Sequence, residues 1–459
     1  MRTKIFIILI VIITVLIGGW AFISVQNHDS RTPQQILLDH YAQLHHFTGN
    51  VFLYYQGDTL IHESRGFSQL QPPVENDLNT QFAIGSVSKH FAAVLILLLE
   101  EEGKLSVEDR LVDHIEDLPG AWSKITLHHL LTHTSGIANS TEIFNTPEML
   151  DQGRSVENSF KVIKETPLAF EPGSQFEYCN TGYNYLAMVV EAVTGKTFEE
   201  NLEERIFQPL GMKNSGSISD FTLLDKLAQG FSTENNMLTP IKERGLVSEL
   251  LKGAGAIFSN THDLFVWDRA LSENRLLSSR QTEKMFTPFL ENYAYGWRIR
   301  EIEANGKTYQ QITHSGHVDG FMANFVRIPE LDFCLIILSN SQDSPIMDLS
   351  NGLMQVSLNG ALPDSFFLPV KTDLFAPYAG NYELEDGTVM KISFYDKGIQ
   401  METEGYPKLP FFPEGGHNFK SAYPFVPAKI RFITNQENVI IGMEFTYEDK
   451  VVVGTKINL

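Results

Sequence analysis

The sequence predicts an α+β domain over residues 35–360, a small all-β domain over residues 375–459 and a membrane-crossing helix over residues 1–25. Three observations carry that division. Strand-like text stands at both ends of the long middle segment with helical text between, which places the terminal strands in one sheet. Beyond about residue 375 the text becomes short alternating segments broken by turn signals, as in an antiparallel sandwich or barrel. The first 25 residues hold a long apolar run. Composition fits this division: 459 residues with 43% hydrophobic and 20% charged side chains exclude disordered, collagenous and coiled-coil classes. The 35 basic residues against 56 acidic ones leave a net charge of −21. So acidic a surface repels phosphate backbones and excludes nucleic acid as a partner.

At the N-terminus, Arg2 and Lys4 precede an apolar run over residues 5–25. A helix rising ~1.5 Å per residue over that run just crosses a ~30 Å hydrocarbon core. The bulky Trp20, Phe22 and Ile23 make a poor cleavage site, so the segment reads as an uncleaved signal-anchor rather than a cleaved signal peptide. The preceding charges orient it as a single pass through the inner membrane, with the rest of the chain on the periplasmic or extracellular side. Residues 26–34 are a polar linker.

A helix is expected over 33–45, where Ile36, Leu37, Tyr41 and Leu44 share a face. A hairpin follows, 51–55 and 59–61 around Gly57-Asp58. Residues 86–101 are nearly all apolar and end at Gly103; too short to span a bilayer, they read as a helix buried in the core. Ser106-x-x-Asp109 reads as a capping box opening another helix. Helices are expected over 127–132, 183–193, 198–207 and 263–271, then strands over 296–302, 310–314, 321–327 and 333–339. Residues 361–374 form a linker to the β domain. Cys179 and Cys334 are too few for a disulfide framework and read as unpaired core thiols.

Three short motifs carry chemistry. In Ser86-Val87-Ser88-Lys89 the serine and lysine lie one helical turn apart, at the positive end of a helix dipole. A lysine walled in by Leu and Val loses solvation, and its neutral form becomes available as a base. Tyr178-Cys179-Asn180 sits in a loop before a helix. A tyrosine beside an ammonium has its pKa drawn down, so Tyr178 is expected to share a proton with Lys89. Asn180 offers a donor and an acceptor for a substrate amide. His314-Ser315-Gly316 reads as strand, with the glycine admitting close backbone approach. Taken singly, each has a plain structural reading: an N-cap serine with a surface lysine, a capped loop, a glycine turn.

Together, Ser-x-x-Lys, Tyr-x-Asn and His-x-Gly in this order resemble the serine β-lactamase and penicillin-binding protein-like family. The Tyr-x-Asn form is similar to its class C β-lactamase, D-alanyl-D-alanine carboxypeptidase, D-aminopeptidase and esterase branch. Residues 130–137 (Leu-Leu-Thr-His-Thr-Ser-Gly-Ile), Phe170-Glu171-Pro172-Gly173, Pro209-Leu210-Gly211-Met212 and Gly253-Ala254-Gly255 resemble the same branch. Tyr378-Ala379-Gly380-Asn381-Tyr382 resembles the small β-barrel appendages of some members.

The resemblance implies a β-lactamase/transpeptidase-like domain, an antiparallel sheet flanked by helices plus an all-helical region. It implies Ser86 as nucleophile, Lys89 and Tyr178 as the proton-accepting pair, and the backbone N–H groups of Ser86 and His317 as oxyanion donors. Asn180, His314 and Gly316 would bind substrate. The implied reaction is cleavage of an amide or ester through an acyl-Ser86, on a peptide-like, ester or β-lactam substrate of D-amino-acid type. The alternatives are a carboxylesterase and a non-catalytic penicillin-binding-like sensor or scaffold. No cofactor or metal is expected: His128, His129 and His133 have no zinc spacing. Two positions depart from the branch. Cys179 stands where a small Ser, Ala or Gly is usual, and His314 where its β-lactamases carry Lys. An imidazole of ordinary pKa, about 6.5, would anchor a substrate carboxylate with a pH dependence across 6–8.

Overall fold

Two antiparallel sheets of different construction organise the chain. The computed structural model describes residues 31–44, 47–144, 156–217, 226–234, 237–241, 251–360, 375–395, 398–403, 408–421, 428–435, 437, 439–447 and 450–457. The expected anchor over 1–25 and linker over 361–374 lie outside these residues. Among the described residues no helix is long and apolar enough to cross a membrane.

Helix α1 (Pro33–Leu44) leads into a hairpin, β1 (Gly49–Tyr55) and β2 (Asp58–Arg65). Its two-residue turn is Gln56-Gly57, both with positive φ (52° and 95°), the geometry that matches the twist of flanking strands. Helices α2 (Lys89–Glu101), α3 (Asn180–Thr194) and α4 (Thr261–Ser272) follow. Strands β3 (Arg298–Ala304), β4 (Lys307–Val318), β5 (Phe321–Ile328) and β6 (Phe333–Ser339) then return to the sheet, and α5 (Ile346–Asn359) closes the unit. The strand order is β3-β4-β5-β6-β1-β2. The sequence expectation that first and last strands share a sheet holds: β1 pairs with β6 from Gly49↔Ser339 to Tyr55↔Phe333.

Side chains alternate across this sheet with the period of two that strands impose. Val51, Leu53, Val326, Leu335 and Ile337 pack under α1 and α5 against Leu37, Leu38, Tyr41, Leu349 and Leu353. Phe52, Phe325, Ile336 and Leu338 face the other way, into the larger core that holds α2, α3 and α4. Both faces are covered, which is why β6 reads as a continuous apolar run and is wholly buried. Helix α2 is apolar all round because it lies inside that core. Every residue from Gln81 to Leu97 is buried except Ser86.

Strand β4 changes partners along its length. Lys307–Thr313 pairs with β3, whereas Ile312–Val318 pairs with β5. The β3-side edge of residues 314–318 is therefore left open by the ladder.

After residue 375 the chain forms a closed barrel: β7 (Gly380–Leu384), β8 (Val389–Tyr395), β9 (Gly398–Thr403), β10 (Leu409–Gly415), β11 (Asn418–Ser421), β12 (Ala428–Thr434), β13 (Ile440–Tyr447) and β14 (Lys450–Ile457). Pairing of β14 with β7 closes it. Of the two architectures left open by the sequence, the barrel is the one formed. Tyr382, Met390, Ile399, Phe411, Phe419, Phe432 and Met443 fill its interior, as expected where eight strands leave just enough room for side chains. Leu409 touches this core and also the one under α1 and α5.

Two sequence expectations need correction. Ser106 and Asp109 do bond reciprocally, Ser106 N–H to Asp109 Oδ2 at 2.8 Å and Asp109 N–H to Ser106 O at 2.9 Å. They close a turn followed by a three-residue 3₁₀ segment, Leu111–Asp113, not an α-helix, because the chain turns away to pair Arg110 with Thr126. The helix expected over 198–207 is α-helical only over Phe198–Leu202 and widens to a π-turn over Glu203–Phe207. Cys179 and Cys334 are buried free thiols.

Candidate active site

A 3₁₀ turn, Gly85–Ser88, joins the two-residue strand Phe82–Ala83 to the start of α2 and carries Ser86. The open edge of β4 lies against this turn, and two glycines permit the approach. A Cβ on Gly316 would sit 1.9 Å from the Ile84 carbonyl oxygen, and one on Gly85, whose φ is +50°, would sit 2.6 Å from the His317 nitrogen. The backbone N–H groups of Ser86 and His317 therefore belong to two segments in direct contact. That juxtaposition is what a two-donor oxyanion site requires.

Lys89 is one turn beyond Ser86 and fully buried. Its Nζ lies 3.0 Å from Ser86 Oγ, 2.8 Å from Asn180 Oδ1 and 2.8 Å from the Ala254 carbonyl oxygen. Burial pushes its pKa well below the usual lysine range. A neutral amine has two hydrogens and one lone pair. The two carbonyl-type oxygens take the hydrogens, which leaves the lone pair to accept the Ser86 hydroxyl proton. Its remaining neighbours are aromatic: the rings of Tyr178 and Tyr183 lie 4.9 and 5.4 Å from Nζ. Among the described residues no carboxylate pairs with the ammonium form.

The Ala254 carbonyl reaches Lys89 because Ile257–Ser259 pairs with Phe82–Ala83 and Ile257 N–H donates to Ser88 Oγ at 3.1 Å. Gly253 allows the approach, since a Cβ there would meet the Tyr183 carbonyl oxygen at 2.2 Å. Asn180 opens α3. Its backbone N–H donates to Asn139 Oδ1 at 3.2 Å and its Nδ2 to Thr141 Oγ1 at 2.8 Å. The side chain thus orients Lys89 while one amide hydrogen is held by Thr141, in the short helix Ser140–Phe144.

Tyr178 OH donates to Ser86 Oγ at 2.8 Å. The expected depression of its pKa is not found. Burial pushes the phenol up, outweighing the hydrogen bond to Ser86, so Tyr178 stays protonated and acts as a donor. In this arrangement Lys89 can serve as a base and Tyr178 as an acid, in place of a pair sharing one proton.

His314 also differs from expectation. It is buried on β4, its Nδ1–H donates to Ser315 O at 2.6 Å, and its Nε2 accepts from Tyr293 OH at 3.0 Å. Burial is the main cause that pushes its pKa down to about 3. The ring is neutral across pH 6–8 with both nitrogens engaged, and it presents no charge to a substrate carboxylate. A cation missed by sequence reasoning stands nearby. Arg298, at the start of β3, lays its guanidinium over the rings of Tyr293 and Phe176 at 5.4 and 5.8 Å. It is part-exposed, and no carboxylate among the described residues pairs with it. Nothing local in the sequence marks it. The Ala254 carbonyl lies in a tripeptide that sequence did single out, but a backbone acceptor leaves no residue-type signal.

No group of side chains among the described residues could hold a metal ion. A family model described as Beta-lactamase matches residues 36–355. Penicillin-binding protein 4* of Bacillus subtilis (strain 168) is 26% identical over 422 residues, 86% of this chain and 92% of that protein. Teichoic acid D-alanine hydrolase of Staphylococcus aureus (strain MRSA252) is 25% identical over 62% of this chain and 71% of its own. Among solved structures, the octameric penicillin-binding protein homologue from Pyrococcus abyssi superposes with a TM-score of 0.64 at 22% identity, over 92% of this chain and 99% of that one.

Proposed function

We propose, from the premise that the chain belongs to the Beta-lactamase family of serine hydrolases, that it cleaves the amide or ester bond of a D-aminoacyl substrate through an acyl-enzyme on Ser86. The observation that carries this reading is the placement of Ser86 Oγ between Lys89 Nζ at 3.0 Å and Tyr178 OH at 2.8 Å. Neutral Lys89 takes the Ser86 proton as Oγ attacks the carbonyl carbon. The oxygen that becomes negative is held by the N–H groups of Ser86 and His317, a contribution of about 10²–10³ in rate per donor. Tyr178 gives its proton to the leaving nitrogen or oxygen and is reprotonated from Lys89. Water then repeats the sequence on the acyl group and frees Ser86.

Arg298 supports a substrate that carries a carboxylate, since a part-exposed guanidinium with no acidic partner among the described residues matches that group. The D-configuration rests on the relative named as a D-alanine hydrolase. We further place the enzyme on the outer face of the membrane, held by residues 1–25; the support is the apolar run and the charges of Arg2 and Lys4. Intact mass spectrometry of residues 26–459 with a fluorophosphonate and a penicillin, beside turnover of a p-nitrophenyl ester, tests the chemistry. The expected result is a single adduct that Ser86→Ala abolishes. No adduct from either probe would remove Ser86 as nucleophile, and a stable adduct without turnover would favour an acylated sensor.

A further inference from the structure

His133 contributes to this site without touching Ser86, and the mechanism so far leaves it unused. It follows the short helix Leu127–Leu131 with φ +58°, a left-handed conformation that glycine or asparagine adopts more readily than histidine. A turn alone would be served better by glycine, so the imidazole is there for another reason. The hydrogen bonds of the neighbouring loop supply one. The backbone N–H of Glu177 donates to the His133 carbonyl oxygen at 2.9 Å, and the backbone N–H of Cys179 donates to His133 Nδ1 at 3.1 Å. The residues on either side of Tyr178 are therefore both tied to one histidine. Its ring also lies 4.2 Å from the Tyr178 ring, centroid to centroid. Rings of Tyr293 and Tyr183 at 4.5 and 5.2 Å enclose it from other sides.

We infer that His133 is the positioning residue for Tyr178, aiming its hydroxyl at Ser86 by clamping the backbone on both sides of it. The clamp works only with Nδ1 as an acceptor, which fixes the neutral ring with its hydrogen on Nε2. Nε2 is buried with no hydrogen-bond partner among the described residues, and burial is the largest cause holding the ring in its uncharged form. The left-handed backbone lets the carbonyl and the side chain of one residue reach the same loop. Displacement of a proton donor by about 1 Å costs on the order of 10² in rate, which is the scale expected if the clamp is lost.

This inference rests on the acyl-enzyme reading above, and a double-mutant cycle separates the two. The single-turnover acylation rate constant for a D-alanyl p-nitroanilide, whose leaving nitrogen takes the Tyr178 proton, is measured for wild type, His133→Ala, Tyr178→Phe and the double variant, with melting temperatures alongside. His133→Ala is expected to lower the acylation rate constant about 10²-fold while the reversible binding constant stays within a few-fold. In the Tyr178→Phe background it should change the rate less than about 3-fold, because the hydroxyl it aims is gone. His133→Asn tolerates the left-handed backbone and puts its amide oxygen where Nδ1 accepts, so it should recover most of the rate. Equal losses in both backgrounds, or an Asn variant as slow as the Ala variant at native melting temperature, would overturn the positioning role. If His133→Ala does not fold, the same cycle run with His133→Gln, which misplaces the acceptor by one bond, decides the matter. A Tyr178→Phe variant as fast as wild type would instead remove Tyr178 from the mechanism, a failure of the functional reading, and the positioning role would fall with it.

Discussion

The two sheets are built from the same kind of antiparallel strand, yet chemistry is gathered on only one of them. The barrel satisfies each strand on both sides, since β14 returns to β7, and its interior is filled with apolar side chains. The open sheet leaves the edge of β4 free at residues 314–318 because β3 pairs only with the first part of that strand. An unpaired edge is usually a liability in a sheet. Here the edge is covered by the turn that bears Ser86, and in the proposed mechanism the His317 N–H becomes half of a site for a developing negative charge. Closure removes edges and with them the backbone donors that such catalysis uses.

The comparison breaks most readily at the contact between edge and turn. Gly316→Ala puts a Cβ where the Ile84 oxygen lies, 1.9 Å away. It is expected to lower kcat/KM for an ester by about 10²–10³, the loss of one oxyanion donor, with the barrel still folded by circular dichroism. Activity near wild type would detach β4 from the mechanism.

Acidity should discriminate next. In the proposed mechanism Lys89 acts as a neutral amine, its pKa pushed well down by burial. kcat/KM should therefore fall tenfold per pH unit once pH drops below that lowered value, and stay level above it until Tyr178 ionises. The same shift couples to folding. The unfolded chain binds a proton to this lysine below its ordinary pKa, about 10.4, that the native state refuses. The contribution of Lys89 to stability thus rises with pH between the lowered pKa and the ordinary one, and denaturant titrations of wild type and Lys89→Ala at several pH values measure it. His314→Gln, by contrast, should leave the pH dependence of KM across 6–8 unchanged, because a group with a pKa of about 3 does not titrate there.

Changes inside the barrel should be smaller and purely structural. Tyr382 OH donates to the Tyr378 carbonyl oxygen at 2.7 Å in the barrel interior. Tyr382→Phe is expected to cost about 1 kcal/mol of stability and to leave the acylation rate of Ser86 unchanged. A change in acylation would mean that the barrel shapes the site. Removal of residues 375–459 carries the test further, and the remaining chain should still label at Ser86, with Leu409 withdrawn from the core under α1 and α5.

Much of this organisation is legible in the sequence, because it rests on side-chain type. The run Phe91–Leu99 announces a buried helix, and Ser86 with Lys89 at its mouth announces a nucleophile beside a base. The paired terminal strands follow from apolar text at both ends of the domain. What the sequence does not disclose depends on backbone and on burial. The Ala254 carbonyl has no residue signature, and the turn away at Arg110 means that Ser106-x-x-Asp109 opens no helix. Tyr178 and His314 are visible as residues, but their pKa directions follow from how completely the fold encloses them. Arg298 becomes meaningful only when Phe176 and Tyr293 are seen beneath it.

The burial of every residue from Gln81 to Leu97 except Ser86 also bears on how the protein fails. Partial openings of a fold begin where few apolar contacts hold a segment. The nucleophile instead hangs from a helix whose residues from Lys89 to Leu97 are all buried. Amide hydrogens of this stretch should exchange only through openings as large as the whole domain. On heating, labelling at Ser86 should disappear together with the cooperative melting of the domain and not before it. A covalent inhibitor therefore meets a preassembled nucleophile and need not wait for one to form.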